Sequence, residues 1–211
     1  MTLDRRRLIL AFAAASLSGG AQAQTELSAA DKALVGRAVA YLEGLDEAKG
    51  RFLQTDARGR ATTGALYMKR PGKARFAYDA PSGLLVVSDG GVVSVQDKRL
   101  KTFDQYPLAA TPLSLFLART IRLDRGVTIT RVARMADGFA LTARDGKKQT
   151  AGSLILNFTD QPLALAGWTV SDAQGRPTRV QLIDLERTSG LRRDLFVLKD
   201  PRPKNVGRGK V

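Results

Sequence analysis

The sequence predicts a mainly β chain: one large antiparallel sheet of about 11–12 strands, curved into an unclosed barrel, with helices covering its open mouth. Apolar residues recur with a period of two from about residue 51 onward, and Gly, Pro and Asp pairs break them into short runs. Only two stretches, near the start and near residue 112, follow helical spacing instead.

The amino-terminal residues stand apart. Arg5, Arg6 and Arg7 precede the apolar stretch Leu8 to Leu17, which ends in Ala21-Gln22-Ala23. That order of charge, short apolar run and small residues is a cleaved secretory signal, too short for a membrane span. The expected mature chain is residues 24–211, read as one domain. Arg5-Arg6 also allows a twin-arginine signal, of which Arg7-Leu8-Ile9 is a loose match.

Leu27 to Gly50 reads as one amphipathic helix through Leu34, Val35, Ala38, Val39, Leu42 and Leu45. Ser28 followed by Asp31 supplies a cap, and Gly50 a stop. The strands expected next are 51–55, 64–69, 73–78, 84–88, 92–96 and 99–105. A second set covers 127–133, 139–143, 152–158, 164–170, 178–185 and 195–198. Arg70-Pro71-Gly72, Pro81-Ser82-Gly83, Asp89-Gly90-Gly91 and Asp145-Gly146 are among the turns between them. Thr111-Pro112 with Leu113, Leu115, Phe116 and Leu117 reads as a short helix with proline in its first turn. The carboxyl end, from about residue 200, is basic and rich in Pro and Gly, and reads as a mobile tail or an edge-covering loop.

Composition limits the chemistry. The chain has no Cys and no His, so disulfides, thiolate sites, cysteine nucleophiles, Ser-His triads and histidine-ligated metals are excluded. No catalytic residue, metal ligand or cofactor is expected. Asp184 and Glu186 would share a face by alternation, but a carboxylate pair on a surface strand is ordinarily solvated. The net charge of +14 would suggest nucleic acid inside a cell. Export argues against nucleic acid and leaves anionic lipid, acidic protein partners or plain solubility as readings of that charge.

Alternation through residues 64–70 sets Leu66 and Met68 on one face with Arg70 at its end. Phe76 and Tyr78, then Val93 and Val95, continue an aliphatic and aromatic inner face, and Lys69 and Arg75 turn to the water-facing side. Leu113, Phe116 and Leu117 of the short helix suit a lid over the cavity that this face would line. Arg70, at the rim, either lays its stem on apolar surface with its head in water or donates to lid carbonyls.

Three segments together, "MKRPGKARFAY", "VVSDGG" and "TPLSLFLAR", resemble the LolA family of periplasmic lipoprotein carriers. The preceding "RFLQTDARGRATTGALYM" and the late "LFVLKDPRP" agree with it. The resemblance is dense over about residues 30–120. It implies a periplasmic chaperone whose hydrophobic cavity binds the acyl chains of lipoproteins. It further implies an inner-membrane lipoprotein-releasing ABC transporter as the source of cargo. The recipient would be an outer-membrane lipoprotein acceptor or the outer membrane itself, and the carrier would be a monomer. The arginine of the family's Lys-Arg-Pro motif, Arg70 here, is implied to bond the lid. One departure is that the family often carries tryptophan in the strand after this motif, where this chain has Phe76 and Tyr78. A lipid or lipoprotein sensor on the same scaffold is the alternative reading.

Overall fold

The computed structural model describes residues 26–111, 113–121, 127–145, 152–172 and 174–202. Eleven strands form one sheet: β1 (Glu47–Thr55), β2 (Ala61–Lys69), β3 (Lys73–Tyr78), β4 (Leu84–Asp89), β5 (Val92–Asp97), β6 (Thr102–Pro107), β7 (Val127–Met135), β8 (Gly138–Asp145), β9 (Ser153–Asp160), β10 (Leu163–Ser171) and β11 (Pro177–Arg187). Their order is β6-β5-β4-β3-β2-β1-β11-β10-β9-β8-β7, with every neighbouring pair antiparallel. β1 and β11 meet in the middle, and β6 and β7 are the two open edges.

Curvature follows from one contact. β3 and β10 are separated by three strands, which in a flat sheet puts them about 19 Å apart. The rings of Phe76 on β3 and Trp168 on β10 nonetheless meet edge to face at 6.1 Å between centroids. The sheet is therefore rolled so that its inner face closes on itself. Phe52, fully buried on β1, stands edge-on to both Phe76 and Tyr78, at 5.5 and 5.0 Å. Gly64 lies beneath that ring, because a Cβ there would stand 2.6 Å from Phe52 and 2.5 Å from the Ala77 carbonyl oxygen.

Helix α1 (Ala29–Glu43) lies over the β7–β10 half of the inner face. Tyr41 meets Phe158 edge to face at 6.2 Å, Arg37 pairs with Asp160 at 2.6 Å, and Asp31 pairs with Arg134 at 2.9 Å. Ser28 is its cap, accepting from the Asp31 amide, an arrangement contributing about 1 kcal/mol. Its end differs from expectation: it stops at Glu43, Gly44 rather than Gly50 follows, and Gly50 lies within β1. A Cβ at Gly50 would meet β11 backbone at 3.0 Å, so that glycine serves the β1–β11 bulge.

Two further readings are corrected. Residues 195–198 form no strand; a 3₁₀ turn, Arg193–Phe196, occupies the position. The outer side of β2 and β3 is also not simply open to water. The segment after β11 crosses it as a strap, and the basic side chains hold that strap. Lys69 Nζ donates to the Leu191 carbonyl at 3.1 Å and pairs with Glu47 at 2.5 Å, while Glu47 accepts from the Leu191 amide at 2.8 Å. Arg75 donates to the Leu195 carbonyl at 3.1 Å. Phe196, only 1 % exposed, packs down where the 3₁₀ turn meets β3 and β4, and Arg202 ends the strap above the Phe103 ring on β6. The positive charge of the β2–β3 hairpin thus satisfies strap carbonyls that would otherwise be left unpaired. Residues 1–25, expected to hold the export signal, and 203–211 of the tail lie outside the described residues.

The strap contact is acid-sensitive. Lys69 first, then the Leu191 amide, hold the Glu47 carboxyl below its ordinary value. A depressed carboxyl pKa stabilises the fold above the ordinary value and loses that contribution as pH falls through the lowered one. We expect the protection of the Leu191 amide against hydrogen exchange at pH 6 to be lost at a pH well below the ordinary glutamate range. Glu47→Ala should leave that amide unprotected at both values, and equal protection in the variant would contradict the assignment.

Candidate functional site

The β2–β3 turn is the junction at which sheet and helices meet. Arg70 leaves β2 with its amide on the Asp46 carbonyl at 2.7 Å, and its guanidinium reaches across to both helical segments. Its Nε donates to the Ala118 carbonyl at 3.0 Å. One terminal nitrogen donates to Ala118 at 2.6 Å and to Arg119 at 2.9 Å, and the other donates to the Leu42 carbonyl. Leu42 sits in the last turn of α1; Ala118 and Arg119 follow α2 (Leu113–Leu117). Helix ends carry carbonyls without intrahelical partners and partial negative charge, which a cation with fixed planar donors satisfies. Burial works against the charged guanidinium, while Asp46 and Glu43 favour it, so it remains the cation that these carbonyls require.

Other bonds reinforce the junction. The Gly72 amide donates to the Leu117 carbonyl at 2.7 Å, and the Ile121 amide donates to Glu43 at 3.2 Å. Gly72 has φ +77°, and a Cβ there would lie 2.7 Å from Gly90 Cα, so only glycine turns the chain tightly enough.

The expected inner-face residues come together. Leu66, Met68, Phe76, Val93 and Leu117 are buried in one apolar cluster, with Tyr78, Val95 and Leu113 partly buried against it. Phe116 lies on α2, but its side chain is outside the described set. Tyr78 brings a polar group into this face: its hydroxyl donates to Gln54 at 2.7 Å, and burial pushes its pKa up to about 12. Sequence reasoning did not find Gln54, Phe52 or Trp168 as members of the set. Alternation within β1 and β10 marks Phe52 and Trp168 as inward, but their meeting depends on the curvature of the sheet.

Asp184 and Glu186 make no reactive pair. Asp184 sits at φ +52° in the β1–β11 bulge, so simple alternation does not run through it, and both residues are exposed. Among the described residues no cluster of acidic side chains is suited to a metal ion.

Residues 43–199 match the model of the family described as outer membrane lipoprotein carrier protein LolA. The chain belongs to that family. The resemblance carried by "MKRPGKARFAY", "VVSDGG" and "TPLSLFLAR" together is therefore borne out, over most of the chain. A curated relative from Methylobacillus flagellatus, named outer-membrane lipoprotein carrier protein, is 28% identical over 79% of this chain and 85% of its own length. A relative of the same name from Chromobacterium violaceum is 24% identical over 93% of this chain and 95% of its own length. Among solved structures, a LolA superfamily protein from Nitrosomonas europaea is similar over 77% of this chain and 97% of its own, at 10% identity and a TM-score of 0.46.

Proposed function

We propose that this LolA-family chain is a periplasmic carrier that takes the acyl chains of lipoproteins onto the inner face of its sheet and conveys them toward the outer membrane. The observation that carries the reading is the Arg70 junction, in which one side chain ties α1 and the end of α2 across an apolar inner face. The names of the two relatives support it. It is a binding protein and catalyses no reaction.

In this reading residues 1–23 are a cleaved export signal and residues 24–211 the mature carrier. The helices form a lid, Arg70 is its latch, and Leu66, Met68, Phe76, Tyr78, Val93, Val95, Leu113, Phe116 and Leu117 line the space that opens beneath it. Burying an acyl chain contributes about 0.8 kcal/mol per methylene, enough to hold a lipid anchor that water rejects. Cargo enters from an inner-membrane ABC transporter that releases lipoproteins, and leaves to an outer-membrane acceptor or to that membrane directly.

The test uses inner-membrane vesicles that hold a triacylated lipoprotein and its releasing transporter, with ATP and the mature chain added. The expected result is a soluble complex of lipoprotein with this chain, absent when either ATP or the chain is withheld. Bound phospholipid or fatty acid with no lipoprotein would instead favour a lipid sensor on the same scaffold.

A further inference from the structure

At the end of the sheet opposite Arg70, three turns begin with an aspartate that accepts backbone amides. In the β1–β2 turn, Asp56 accepts from the Arg58 and Arg60 amides and also binds the Arg60 side chain. In the β10–β11 turn, Asp172 accepts from the Gln174 and Arg176 amides and binds the Arg176 side chain. Each of these two aspartates pairs with one arginine of its turn, Arg60 and Arg176. The β5–β6 turn is different. Asp97 accepts from the Arg99 and Leu100 amides at 2.8 and 3.0 Å, but among the described residues no cationic side chain folds back onto it.

That turn therefore presents Lys98, Arg99 and Lys101 to solvent with no ion pair among the described residues. Between them stands Leu100, 59 % exposed and the most exposed large apolar side chain described. A lone exposed leucine needs no explanation, but one flanked in sequence by three exposed cations that make no ion pair among the described residues, on a turn held by Asp97, is a different surface.

A second observation converges on the same place. The strap brings Arg202 over the ring of Phe103, two residues beyond Lys101, so the strap and the turn lie side by side. The acids nearby are Asp97, occupied by turn amides, Asp200, paired with Arg202, and Asp104, which acts on Arg202.

We propose that the Lys98-Arg99-Leu100-Lys101 turn is a docking tip for an anionic phospholipid surface. Resting on the carrier reading, it would let the protein touch the membrane that receives cargo. A bilayer interface supplies both things that the tip needs at once: anionic head groups for the cations and an acyl boundary for the leucine. Each cation held near such a surface strengthens binding about fivefold, so the three together contribute about a hundredfold.

The test is flotation of the mature chain with vesicles of phosphatidylethanolamine and phosphatidylglycerol at 3:1, against pure phosphatidylcholine, in 50 mM NaCl. Wild type should float with the anionic vesicles only. Replacing Lys98, Arg99 and Lys101 together by Gln should weaken that binding about a hundredfold, and Leu100→Ser several-fold. A charge-matched control, Lys49→Gln with Arg144→Gln and Arg179→Gln on the outer face, should lose far less. Equal loss in the control, unchanged binding in the tip variants, or no flotation of wild type would overturn the proposal. So would tip-dependent binding to polyglutamate without flotation, which would point to an acidic protein. Thermal melting confirms that the variants fold, and uptake of a fluorescent fatty acyl probe is measured separately. Probe uptake without flotation sinks the docking tip alone; tip-dependent flotation without probe uptake sinks the carrier reading and leaves the tip standing.

Discussion

Arg70→Leu is expected to tighten binding of a fluorescent acyl probe by roughly thirtyfold while lowering thermal stability. The guanidinium satisfies three carbonyls at the ends of two helical segments, and those bonds exist only while the helices rest on the sheet. Charge-assisted bonds of this kind contribute about 2 kcal/mol net, which corresponds to roughly thirtyfold in an equilibrium. If the competent form is open, each molecule held closed subtracts from apparent affinity, and removing the latch restores it. Release to an acceptor should slow by a similar factor. Arg70→Lys should fall between wild type and leucine, because a single ammonium cannot span carbonyls that a planar fork of donors reaches together. A lowered melting temperature with unchanged probe affinity would make Arg70 a strut with no part in exchange.

Phe52→Ala carries the largest expected effect on stability, about 3–5 kcal/mol. Phe52 is fully buried, and its ring is the hub that Phe76 and Tyr78 meet edge to face, with Trp168 one ring further on. Removing it leaves a void where β1, β2 and β3 curve toward β10, and neighbouring backbone holds that void open. Such a loss takes a large share of the stability of an ordinary domain, about 5–15 kcal/mol. Urea unfolding followed by Trp168 fluorescence measures it, since that is the chain's single tryptophan and is buried beside the affected rings. A loss under about 1.5 kcal/mol would mean that the inner face re-packs freely and that the ring cluster does not set the curvature.

Much of this architecture was legible because the apolar period of two is strong in β2 to β5 and in β8 to β11, where one face is buried and the other is not. Arg70 was legible at its position, since alternation sets it at the end of the face that begins with Leu66 and Met68. Its partners were not, because Leu42 and Ala118 lie 28 and 48 residues away and offer only backbone oxygens. The helix boundary was misread for a local reason: Leu45 prolongs the helical spacing past Gly44, and Glu47 to Gly50 has little strand propensity of its own. Pairing with β2 and β11 on either side makes that segment a strand. The strap was misread for a tertiary one. Leu195 to Leu198 looks like a strand, yet Phe196 is buried by lying on the sheet and not by joining it. Lys69 and Arg75 likewise looked like surface charge because the carbonyls that they bind arrive from 120 or more residues later.

The most direct test of the carrier account is native mass spectrometry of the mature protein purified gently from periplasm. The account predicts a population heavier by one acylated lipoprotein, with the acyl portion retained after the exposed polypeptide of the cargo is trimmed by protease, and a larger such population in Arg70→Leu. Mature protein that carries no acylated polypeptide in either form, from cells that export lipoproteins normally, would contradict it.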